Sequence, residues 1–132
     1  MNFQQHYKND SVATASPAQL VTMLYDRALQ GIHTARLHLA PEGTAPNRLE
    51  LANKELVHVQ RIVTELQVTL DFERGGEVAR SLDALYVWCM SQLVEANLTK
   101  DPVPLDSVEN TISGIRDAWV SASAVANQPV RS

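Results

Sequence analysis

At 132 residues the chain has the length of one domain, enough for a single core and cramped for two. Its 45% hydrophobic and 20% charged residues are ordinary for a globular protein, and a formal charge of −4, with 11 scattered Lys and Arg, excludes a phosphate-tracking nucleic-acid binder. No run approaches the ~18 consecutive apolar residues of a membrane span, the first ten residues hold no secretory-type apolar stretch, and the single Cys89 excludes an internal disulfide; the expected location is the cytoplasm.

Residues 1–15 place Phe3, Tyr7 and Val12 among polar neighbours with no helical or alternating period, and read as an extended arm. A frayed terminus is the plain account; the sharper one docks Tyr7 and Val12 in an apolar groove of the body. A helix then starts abruptly. Ser16 is the N-cap, Pro17 suits the first helical position, and Gln19 completes a Ser-x-x-Gln capping box. Val21, Tyr25, Ala28, Ile32, Ala35 and Leu39 fall three or four apart, so helix one is expected over about residues 17–39.

The turn-rich residues 41–47 follow, then a second seam at Ala52, Leu56, Val59, Val63, Leu66 and Leu70. Residues 71–76, ending in Gly75-Gly76, are read as the stop of helix two and the flexible turn before helix three. Helix three is given the seam Val78, Leu82, Leu85, Cys89, Leu93 and Ala96, and after the break at residues 97–104 helix four carries Leu105, Val108, Ile112, Ile115, Trp119 and Ala122. No strand signal competes. The expectation is an all-α, antiparallel up-down four-helix bundle, with an arm over 1–15, a bundle over 16–122 and a flexible tail over 123–132 that contains Pro129.

Helical-wheel arithmetic leaves apolar residues outside these seams. Helix three has Val87, Met90 and Val94 at i, i+3 and i+7, and helix two turns Val57 and Val68 away from its seam. Scattered surface hydrophobics are one account. The other is a strip that accepts an amphipathic helix from another chain, with a methionine to adapt its shape.

Catalytic constellations are missing. Glu55-x-x-His58 has di-iron spacing, but such a site needs a second copy of the motif and two more inward glutamates. His33 and His38 are five apart, which does not suit one metal on a regular helix, and His6 stands in the arm. A phosphoacceptor role for His33 lacks a nearby lysine, and Cys89 has no basic neighbour to activate it. These residues imply no enzyme, no metal and no cofactor. They describe a binding protein, with a self-associating helical scaffold or a histidine phosphotransfer bundle as the alternatives.

Several motifs in order carry a resemblance. Tyr7, then Val12 with Thr14-Ala15-Ser16-Pro17, then Met23-Leu24-Tyr25-Asp26, then Leu70-Asp71-x-Glu73-x-Gly75-Gly76-Glu77-Val78-Ala79, Leu82-x-x-Leu85-Tyr86, Leu93-x-x-Ala96-Asn97 and Arg116-Asp117-Ala118-Trp119 are similar to the flagellin-specific export chaperones, the FliS family. The resemblance implies a cytoplasmic helical bundle that binds the disordered C-terminal segment of flagellin, prevents its premature polymerisation and presents it to the flagellar type III export gate. It implies a docking and release role for Tyr7. The chain departs from the family at Val87, Trp88 and Cys89, where an acidic residue, a tyrosine and a methionine are common. It departs again at Ser91-Gln92, usually a basic pair, and at Arg27, usually glycine. The helix-three surface is therefore less charged than the family's.

Overall fold

The capping box closes as its residues predict. Ser16 Oγ accepts from the Gln19 N–H at 3.2 Å, the Gln19 side chain accepts from the Ser16 N–H at 2.8 Å, and Pro17 opens the helix. The structure, a computed structural model, describes residues 15–126. Tyr7, Val12 and His6 lie outside the described residues.

Four helices follow in order: α1 (Pro17–Leu39), α2 (Arg48–Val68), α3 (Phe72–Thr99) and α4 (Val103–Ala126). No strand occurs among the described residues. The end of α1 is tied to the start of α2 by the Arg48 guanidinium, which donates to the His38 carbonyl at 2.9 Å. Asp71 caps α3 by accepting from the Glu73 and Arg74 N–H groups, both at 3.1 Å. Lys100, in the left-handed region at φ 57°, ends that helix, and α4 runs past Ala122 to Ala126.

Cross-helix bonds give the directions. Asp26 meets Arg116 and Arg36 meets Asp106, so α1 and α4 are antiparallel; Gln67 meets Asp83 and Asn53 meets Asn97, so α2 and α3 are too. Each helix packs on its two neighbours in the ring α1–α2–α3–α4. The α1–α2 pair approaches closely because Gly31 has no side chain: a Cβ there would meet Val59 Cγ2 at 2.6 Å.

The core follows the expected seams on three helices except at their ends, where Ala122 is exposed and Val21 and Leu70 are only half-buried. Tyr25, Ala28, Ile32, Ala35 and Leu39 are buried from α1; Ala52, Leu56, Val59, Val63 and Leu66, joined by Ile62, from α2; and Leu105, Val108 and Ile112 from α4, where Ile115 and Trp119 are half-buried. Helix α3 departs from expectation twice. Phe72 to Gly75 is already helical, and Gly76, at φ 49° and ψ −122°, breaks the regular path inside the element instead of preceding it. Its seam is also one residue out at the start: Ala79 and Tyr86 are buried, while Val78 and Leu85 are 69% and 40% exposed. The buried positions Ala79, Tyr86, Cys89, Leu93 and Ala96, with Leu82 packed behind them, keep the 3–4 spacing of a bundle helix.

Candidate functional site

Apart from Tyr7 and Val12, which lie outside the described residues, the structure divides the sequence-predicted surface residues into two groups. Val57 of α2 and Met90 of α3 come together, lining with Gln60, Arg61 and Thr64 a shallow recess of about 380 Å³. Val87 and Val94 flank Met90 along α3 and are 55% and 39% exposed. Met90 itself packs partly against the core, so this stripe borders the seam of α3 and does not oppose it. Val68, 78% exposed, is the last residue of α2, next to the Gln67 that bonds Asp83, and stands away from the Val57–Met90 recess. It continues the outward ridge of α2, where Val57, Arg61, Thr64 and Val68 follow at four, three and four.

Sequence reasoning missed two further features because each is assembled from several helices. An apolar recess of about 240 Å³ lies at the end of the bundle where α1 begins, with Val21, Leu70, Val78, Leu82 and Trp119 around a floor that includes Tyr25 and Tyr86. The two phenols share a buried hydrogen bond of 2.6 Å. Burial raises both above the usual phenol range, and Tyr86 is pushed further by its bond to Tyr25. The Trp119 Nε1–H donates to the Ala18 carbonyl at 3.0 Å, fixing one wall. The only early signal was the place of Tyr25 and Tyr86 in the family motifs.

The second feature is a polar cleft of about 630 Å³ between α1 and α2, with Gly31 among its lining residues and Arg27, Lys54, Glu55, His58 and Arg61 along its walls. Glu55 and His58 do share this cleft. Among the described residues no three His, Cys, Asp or Glu side chains converge as a metal site. Cys89 is fully buried, and burial pushes its thiol up to about 11, the opposite of what a nucleophile needs. Among the described residues no helix is long and apolar enough to cross a membrane.

The arrangement is that of an all-α four-helix bundle whose accessible features are open grooves between helices. The family model described as "Flagellar protein FliS" matches residues 1–126. The chain is 35% identical over 116 residues to the flagellar secretion chaperone FliS of Bacillus subtilis, covering 88% of this chain and 82% of that protein. It is 36% identical over 117 residues to that of Salmonella typhimurium, covering 89% and 84%, and 34% identical over 119 residues to that of Vibrio cholerae, covering 87% and 84%. The chain belongs to the FliS family of flagellar proteins.

Proposed function

We propose that this protein is a cytoplasmic flagellar secretion chaperone that holds the C-terminal segment of flagellin, keeps it from polymerising and delivers it to the flagellar type III export apparatus. The observation that carries the reading is the strip along α2 and α3 made of the exposed Val87 and Val94 and the half-buried Val57 and Met90, on a chain of a family whose curated relatives are flagellar secretion chaperones. An amphipathic client helix laid on that strip hides the face that other flagellin copies would bind. Covering ~400 Å² of apolar surface is worth on the order of 10 kcal/mol before the cost of ordering the client is subtracted. The net affinity is therefore moderate, which suits a client that must be released.

In this reading residues 1–15 form an arm whose Tyr7 and Val12 compete with the client for apolar surface, and a component of the export gate is a second partner. Nothing is turned over, and no cofactor takes part.

Calorimetric titration of the full chain with a peptide of its cognate flagellin's C-terminal segment, at two temperatures, tests the reading. The expected result is saturable 1:1 binding with a negative heat-capacity change, the mark of apolar burial coupled to client folding. No heat at either temperature, confirmed by a second binding method, overturns it. Concentration-dependent sedimentation of the client-free protein would then put the self-associating scaffold in its place.

A further inference from the structure

The α1–α2 cleft collects the cations that, among the described residues, have no partner. Arg36, Arg74, Arg80 and Arg116 each meet a carboxylate, Arg48 donates to the His38 carbonyl and Lys100 donates to Asn97. Among the described residues, Arg27, Lys54 and Arg61 make no ion pair or side-chain hydrogen bond, and all three line this cleft. A lone surface guanidinium is commonplace. Convergence of every unpaired described cation on one concavity, in a chain of net charge −4, is a local inversion of the molecule's sign.

The charge has direction along the cleft. The antiparallel pairing that sets Arg48 against His38 and Val59 against Gly31 brings Arg27 level with the His58–Arg61 turn, while Glu50 lies near the opposite end with Thr34 and Asn53. Glu55 faces Gly31 from the middle of the wall. Arg61 and Val57 line both this cleft and the recess that holds Met90, so the polar cleft and the apolar strip meet across one ridge of α2. A helix whose apolar face covers Val57 and Met90 carries its flank over Arg61 and Arg27.

We infer that the Arg27–Arg61 end of the α1–α2 cleft takes carboxylate side chains on the flank of the flagellin segment, so that the client is held by charge on one side of α2 and by apolar burial on the other. This rests on the chaperone reading above. The guanidinium forks suit bidentate carboxylates, and Lys54 adds a third attraction further along. Such pairs at the edge of a contact are partly solvated; they set direction and arrival rate more than depth of binding, and they weaken in salt.

The test is titration of the full chain with the cognate flagellin C-terminal peptide at low and high salt. Three proteins are compared: the parent, Arg27→Ala with Arg61→Ala, and Arg74→Ala with Arg80→Ala as a control that removes equal charge elsewhere. The expected result is salt-weakened binding by the parent, about tenfold weaker binding with a flatter salt dependence for the cleft pair, and little change for the control. Helicity should be equal in all three. Equal affinity and salt dependence for parent and cleft variant, or the same loss in the control, overturns the inference and leaves the chaperone reading standing. If sedimentation at low salt shows the cleft variant losing self-association with client binding intact, the occupant is a second copy and the inference falls. Absence of client binding by the parent overturns both.

Discussion

Tyr25 and Tyr86 bring two hydroxyls into an otherwise apolar core, where each is the other's partner, and the fully buried Cys89 lies one helical turn beyond Tyr86. Burial favours the neutral form of all three groups. The unfolded chain loses these protons near the ordinary values of 9.0 for the thiol and 10.0 for the phenols, whereas the folded chain retains them to higher pH. Between those limits the folded state binds more protons, so stability is complete below the ordinary values and falls as pH rises. The melting temperature is expected to be flat near neutral pH and to drop above about pH 9. Cys89→Ala should flatten the first part of that drop and leave the part caused by the phenols. A melting temperature constant up to pH 11 in the parent would refute this account. The sequence made Cys89 legible as an inert core thiol through its place in the seam; it could not reveal the phenol pair, because Tyr25 and Tyr86 are 61 residues apart on helices that are not neighbours in the ring.

Two glycines with the same helical setting have opposite surroundings. At Gly31 a methyl group would press on the buried Val59 at 2.6 Å, while at Gly114 of α4 it would meet nothing within 4 Å. Gly114→Ala is expected to stabilise the bundle by roughly 0.5–1 kcal/mol through helix propensity and reduced unfolded-state freedom. Gly31→Ala gains the same term but overpacks the α1–α2 contact, for a net loss of about 1 kcal/mol. Chemical denaturation of both variants measures the pair, and equal stabilisation of the two would mean that α1 and α2 slide apart freely. The extent of α1 and the middle of three of the four seams were legible because apolar spacing survives any arrangement of neighbours, as Leu56, Val59, Val63 and Leu66 illustrate, whereas α3 and α4 run beyond their expected ends. The start of α3 was not legible. Counting back from Cys89, either Leu85 or Tyr86 and then either Val78 or Ala79 keeps a spacing of three or four, and hydropathy favours the wrong member of each pair.

For the whole molecule, the apolar strip was legible as residues without a seam to serve, whereas the cleft beside it was not, since Arg27 and Arg61 become neighbours only when α1 and α2 pair around Gly31. Val87→Asp and Val94→Asp separate binding from folding, because both side chains are exposed. Each is expected to weaken client binding by about tenfold or more while far-ultraviolet circular dichroism and melting remain close to those of the parent. Collapse of the helical signal in either variant would show that the strip belongs to the core. The seam between α1 and α4 joins the most distant parts of the described chain, through Trp119 on Ala18, Arg116 on Asp26, and Arg36 on Asp106 and Glu109. It also brings residues 15 and 126 to the same end of the bundle. A short linker joining those two points, with new ends opened in the 40–47 turn, would run the chain as α2–α3–α4–α1 and retain all four neighbour contacts. The ring has no privileged first helix, so a circularly permuted bundle would begin at the pole opposite the Tyr25–Tyr86 recess.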